Sequence, residues 1–141
     1  MFKRVVFVFN PKSGSSFRII KDLKKFKKYF TDKYPQIEYI ECSLLSDEIS
    51  SIIKQAEKDL CLFIACGGDG TVAAVAEKIF NYPNFFLSVM PYGTGNDFSR
   101  AVGIYEISND LDKLVDVFAG IQVKTISFDL WGIEKKVFLN Y

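Results

Sequence analysis

The sequence contains no histidine, which excludes Ser-His-Asp catalysis, Cys-His catalysis and histidine-ligated zinc within these 141 residues. Any base must be a carboxylate, a lysine or a tyrosine. Cysteine is scarce: Cys42, Cys61 and Cys66 are odd in number, and along an extended strand the last two point to opposite faces. That pattern suits neither a disulfide nor a shared metal, and a reducing, cytosolic setting fits it best. No apolar stretch approaches the roughly 18 residues of a membrane-spanning helix. The first apolar run, Val5 to Phe9, is short and stops at Asn10-Pro11 with no cleavage-site pattern behind it, so it reads as a strand and not a signal peptide. Membrane contact on this reading is peripheral. Internal repeats, low-complexity tracts and Pro/Gly/Ser-rich linkers are also missing.

What is present describes a globular domain. Apolar types make up 49% of the residues and charged types 25%, enough to bury one real core. Net charge is only +1, yet ten basic and two acidic residues precede Ile37, while eight basic and fifteen acidic ones follow, so the two parts carry +8 and −7. Much of the basic excess is Lys21, Lys24, Lys25, Lys27 and Lys28, interleaved with Ile19, Leu23, Phe26 and Phe30 at helical spacing. A solvated helix face is the plainer reading of residues 17–32. The sharper one is peripheral contact with anionic lipid headgroups.

Strand and helix patterns alternate along the chain. Residues 3–9, 36–42, 60–66 and 85–90 read as strands, the first rich in Val and Phe as in a parallel sheet covered on both sides. Between them lie a helix from Phe17 to Asp32, a second capped by Asp47 with Ile49, Ile52, Ile53 and Ala56 on one face, and a third with Val72, Val75, Ala76 and Ile79. A short helix after Asn96 and another through Leu111, Leu114, Val115 and Phe118, ending near Gly120, complete the pattern. The expected fold over 1–122 is a three-layer, doubly wound α/β domain with a mostly parallel sheet. Val123 to Trp131 and Lys135 to Tyr141, separated by Gly132-Ile133-Glu134, predict an antiparallel hairpin. Residues 123–141 mark the candidate domain boundary, and either self-association through them or poor order is expected because their apolar residues need a cover.

Three loops fall at equivalent strand ends. Gly67-Gly68-Asp69-Gly70-Thr71 follows a buried strand and opens a helix, where glycine lets a phosphate approach the backbone and the helix N-terminus offers unpaired N–H groups. Asn10-Pro11-Lys12-Ser13-Gly14 follows the first strand, and Pro91-Tyr92-Gly93-Thr94-Gly95-Asn96-Asp97 follows the fourth. Parallel topology brings all three to one edge, where ligands bind in such sheets. Ser13 and Thr94 offer hydroxyl donors to phosphate, and Asp69 and Asp97 suit Mg²⁺, its water ligands or ribose hydroxyls. Asp97, with Asn96 sharing the task, also fits a helix N-cap.

Asn-Pro-Lys-Ser-Gly at 10–14, Gly-Gly-Asp-Gly-Thr at 67–71 and Gly-Thr-Gly-Asn-Asp-Phe-Ser-Arg at 93–100 together resemble the diacylglycerol kinase family. Phosphofructokinases and NAD kinases are similar at the second segment and lack the third. Asp129-Leu130-Trp131 and Phe138-Leu139-Asn140-Tyr141 resemble further stretches of the family, so the likeness covers nearly the whole chain. The resemblance implies an ATP-dependent lipid kinase acting on diacylglycerol at a membrane surface, not on nucleic acid, with ATP and Mg²⁺ as cofactors. It places the nucleotide across the three loops, with Asp69 and Asp97 positioning it and Asp97 reaching the metal through water. A second, β-rich lobe, toward which the hairpin leads, would supply the base that activates the lipid hydroxyl, so this chain alone is expected to be inactive. The family has a hydroxyl-bearing residue after the second strand, where Cys42-Ser43 stands here and Ser43 is the substitute. The rival readings are a non-catalytic nucleotide-binding module and an NAD kinase-like phosphotransferase.

Overall fold

The computed structural model describes residues 1–93 and 95–121, together with the backbone of 123–130 and 133–140. Its strands are β1 (Arg4–Phe9), β2 (Glu38–Ser43), β3 (Cys61–Gly67), β4 (Phe85–Pro91), β5 (Val123–Leu130) and β6 (Ile133–Asn140). They form one sheet in the order β2-β1-β3-β4-β6-β5. The first four strands are parallel to their neighbours, as the alternation of strand and helix predicts. β1 and β3 lie in the interior, which explains their unbroken apolar runs, whereas β2 is one edge of the sheet and exposes Glu38 and Glu41.

The helices are α1 (Ser16–Lys33), α2 (Glu48–Ala56), α3 (Asp69–Ile79), α4 (Asp97–Ala101) and α5 (Leu111–Ala119), with a 3-10 turn at Tyr105–Ile107. Right-handed crossovers place α1 on one face of the sheet and α2 and α3 on the other. α1 turns Ile19, Leu23, Phe26 and Phe30 into the core at spacings of three and four. Phe7 of β1 meets Phe26 of α1 at 5.4 Å and Phe118 of α5 at 5.9 Å, so α5 shares the face of α1. Asp116 clamps the two helices together from outside, accepting from Lys33 Nζ at 2.7 Å and from the Tyr34 hydroxyl at 2.6 Å.

Several details differ from the sequence pattern. Asp47 occupies the N-cap position of α2, but its side chain makes no capping bond, because the residue has itself turned into the helical region. Asp110 caps α5 instead, accepting from Lys113 N at 3.2 Å, and Gly120 closes that helix in the left-handed conformation. The hairpin forms, with β5 antiparallel to β6, although Ile133 and Glu134 belong to β6 opposite Leu130 and Asp129. β6 runs parallel to β4, with Leu87 opposite Val137, so the hairpin continues the sheet. Trp131, Gly132 and Tyr141 lie outside the described residues. No helix among the described residues is long and apolar enough to cross a membrane.

Candidate functional site

The connection from β1 runs outward to β2 while the one from β3 runs the other way to β4, which opens a crevice at the carboxyl ends of β1 and β3. Register brings the three loops to one level: Phe9 lies opposite Cys66, and Gly67 opposite Pro91.

In the first loop Asn10 turns the chain. Its Oδ1 accepts from Lys12 N at 2.9 Å and its carbonyl from Ser13 N at 3.1 Å. Pro11, Lys12 and Gly14 are thereby exposed at the rim, with Ser13 half-buried behind them. The Ser15 hydroxyl donates to the carbonyl of Tyr92 at 3.2 Å, tying this loop to the third.

The second loop is α3's entrance. Gly68 is the N-cap residue, and its carbonyl receives Thr71 N at 3.1 Å and Val72 N at 3.2 Å. A Cβ on Gly67 would stand 2.5 Å from Thr71 Oγ1, so the turn closes only without one. Gly70 differs: a Cβ there would have no atom within 4 Å. The first N–H groups of α3 have no intrahelical acceptor and point out of this open end.

The third loop packs on the second through bare backbone. A Cβ on Gly93 would lie 2.5 Å from the Cα of Gly68. Asn96 holds the loop shut, accepting Gly93 N at 2.9 Å and donating to Gly93 O at 2.7 Å from a left-handed backbone (φ 55). The guanidinium of Arg100 donates to the carbonyl of Gly95. Thr94 lies outside the described residues.

Asp69 has an unexpected task. Its Oδ2 accepts the N–H of Asp97 at 3.0 Å and its Oδ1 that of Phe98 at 3.0 Å. The cap expected from Asp97 and Asn96 on α4 therefore comes from another loop, and neither of their side chains caps the helix. The reason is conformational: left-handed Asn96 turns its amide back onto Gly93, and Asp97 already lies within the helix. The Asp97 carboxylate is left exposed, with no partner among the described residues.

Ser43 ends β2 level with Phe9, and its hydroxyl accepts from Leu45 N at 3.1 Å. It shares the edge but lies one strand beyond the first loop. Sequence reasoning missed Tyr92, whose hydroxyl donates to Asp22 of α1 at 2.7 Å beneath the Arg18 guanidinium, 4.8 Å from the ring centre. Burial, and then the bond to Asp22, raise its pKa. Tyr92 and Met90 wall a cleft of about 300 Å³ between α1 and α5. No short motif announces these contacts. The three cysteines are free and buried, and burial pushes the Cys42 thiol up to about 12, so none is an activated nucleophile.

The family model of the diacylglycerol kinase catalytic domain matches residues 4–130. A diacylglycerol kinase of Staphylococcus aureus (strain bovine RF122 / ET3-1) is 30% identical over 148 aligned positions, which cover 99% of this chain and 43% of the relative. One from Staphylococcus epidermidis (strain ATCC 12228 / FDA PCI 1200) is 32% identical with the same coverage. The chain thus spans less than half the length of these relatives. The crystal structure of a diacylglycerol kinase from Bacillus anthracis str. Sterne superposes with a TM-score of 0.62 at 24% identity, over 89% of this chain and 42% of that one, a likeness of fold. Because the family match begins where β1 begins, takes in all three loops of the crevice and ends where β5 ends, the chain belongs to the diacylglycerol kinase catalytic domain family.

Proposed function

We propose that this chain is the ATP-binding lobe of a lipid kinase that transfers the γ-phosphate of ATP to the hydroxyl of diacylglycerol, giving phosphatidic acid. The observation that carries this reading is the contact of Gly68 with Gly93 beside the open backbone at Gly70 and Gly14. Side chains are absent where phosphates need to approach N–H groups. The α3 macrodipole adds only about 0.3–1 kcal/mol, so the N–H groups, the Ser13 hydroxyl and the Lys12 ammonium supply most of the attraction.

Asp69 holds the second and third loops in register and does not act as a base, since both its oxygens already accept hydrogen bonds. Asp97 is the free carboxylate. Among the described residues no three acidic, thiol or imidazole groups gather into a metal site. A Mg²⁺ ion would therefore be held chiefly by phosphate oxygens, with Asp97 as the protein's contact, directly or through water. That ion, when bound, neutralises charge developing on the phosphoryl group. The chain's own residues bind and orient the nucleotide; activation of the lipid hydroxyl belongs to the remaining half of the kinase, on the 1–122 and 123–141 division expected from sequence.

Calorimetric titration with ATP, with and without Mg²⁺, tests the binding. Heat that depends on Mg²⁺ and is lost in Asp97→Asn is the expected result; no heat at millimolar ATP would overturn it. Transfer of labelled γ-phosphate to diacylglycerol micelles tests the division of labour. Turnover by this chain equal to that of a full-length relative would show that no second half is needed.

A further inference from the structure

The cleft between α1 and α5 lies behind the third loop and takes no part in the nucleotide reading. Two lobes, of about 300 and 270 Å³, share Met90, Tyr92 and Leu114 and so form one cleft. Its floor is apolar: Phe26, Met90 and Leu114 are each less than a tenth exposed. Its mouth is polar. Arg18, Asp22 and Lys25 stand at i, i+4 and i+7 on α1, along one side of the helix, and all three are exposed. Asp22 is occupied by the Tyr92 hydroxyl at 2.7 Å. Arg18 stacks on the Tyr92 ring, yet neither it nor Lys25 has an ion pair or hydrogen bond among the described residues.

We propose that this cleft is a second small-molecule site, for an amphiphile with one carboxylate and an unbranched apolar body, such as a medium-chain acyl carboxylate. The chain would lie over Phe26, Met90 and Leu114, and the carboxylate would accept from Arg18 and Lys25. Each part of the cleft selects a part of that ligand. A space of a few hundred Å³ suits a small molecule and is too narrow for a partner helix. Guanidinium and ammonium groups without protein acceptors call for an anion. With Asp22 beside them the three groups carry only +1, which matches a single negative charge and disfavours a triphosphate. Occupancy would also reach the crevice. Tyr92, the wall of the cleft, donates its N–H to Gly67 O at 3.0 Å and accepts the Ser15 hydroxyl at 3.2 Å, so it is bonded to both other loops. A ligand packed on its ring braces all three. The inference stands apart from the kinase reading, and its test uses neither nucleotide nor turnover, so either can fail alone.

The chain has two methionines, which makes the test local. With methyl-labelled methionine, titration with decanoate below its micelle concentration should shift the NMR signal of Met90, on the cleft floor, and leave that of Met1 in place. Octanoate, two methylenes shorter, should bind about tenfold more weakly. Decanol should bind at least about tenfold more weakly, having no charge for the two cations, and Arg18→Gln/Lys25→Gln should lose about as much for decanoate. The control Lys54→Gln/Lys78→Gln, on α2 and α3 across the sheet, should bind as the unaltered chain does. Amide exchange of Tyr92 should slow in decanoate. Shifts of both methionines or of neither, decanol binding as tightly as decanoate, or equal affinities in the two double variants would overturn the site. Unchanged exchange at Tyr92 would overturn the bracing. Equal melting temperatures of the variants confirm that the cleft, and not the fold, is being read.

Discussion

The carboxylate of Asp69 accepts the backbone N–H of Asp97 at 3.0 Å, so the second loop of the crevice caps the helix that opens from the third. Removing it takes away an acceptor shared by two N–H groups. Asp69→Ala is expected to cost about 1–2 kcal/mol, read as a lower urea midpoint, and to weaken ATP binding by loosening residues 91–97. Asp97→Ala should change stability by less than about 0.5 kcal/mol, because its side chain holds nothing, while losing the Mg²⁺-dependent part of the binding heat. The opposite pattern would exchange the roles of the two aspartates.

Gly93 and Gly70 should separate folding from binding. In Gly93→Ala the new methyl meets the Cα of Gly68 at 2.5 Å, and two loops must part, at about 1–3 kcal/mol. In Gly70→Ala the methyl meets nothing within 4 Å and the first turn of α3 becomes more stable by about 0.5–1 kcal/mol. That methyl nevertheless stands where a phosphate approaches the backbone. Thermal melting and ATP titration of the pair should therefore move in opposite senses for Gly70→Ala: higher Tm, weaker binding.

Alkaline pH should destabilise the fold. Burial pushes Cys61 up to about 11, against the pull of Arg4, and Cys42 up to about 12. Burial, then the bond to Asp116, pushes Tyr34 up to about 12. In each case the fold favours the neutral form. The stabilisation is complete below the ordinary values of 9 for cysteine and 10 for tyrosine and is lost as pH rises through the folded values. Urea midpoints measured from pH 8 to 11 should hold to about pH 9 and then fall, with a shallower fall in Tyr34→Phe. A midpoint that stays level to pH 11 would contradict the burial of these groups.

Phe118→Ala tests how α5 is held to the sheet. The ring touches Phe7 at 5.9 Å and Phe26 at 5.9 Å and is fully buried, so its loss should cost about 3–5 kcal/mol. Urea denaturation gives the value. A cost under about 1 kcal/mol would mean that α5 leaves the sheet easily.

The loops were legible as loops because their signals are local. Glycine, proline and asparagine act through their own φ and through bonds to residues two or three away, as Asn10 does with Lys12 and Asn96 with Gly93. The capping by Asp69 was not legible, because its partners stand 28 and 29 residues downstream. Tyr92 and Asp22 are 70 residues apart, and no spacing rule connects them. The basic helix was visible in the sequence, whereas the exposure of Phe17 and Ile20 was not, since a wheel shows which residues share a face and not what covers it.

The sequence by itself determined the alternation of strand and helix, the parallel sheet that follows from it, and the common edge at which the three loops emerge, because periodicity and turn chemistry are properties of short windows. Only the tertiary structure decided which aspartate is occupied and which is free, and which two glycines touch. Those outcomes depend on the order β2-β1-β3-β4, which sets distant loops side by side, and on distances of about 3 Å that only packing defines.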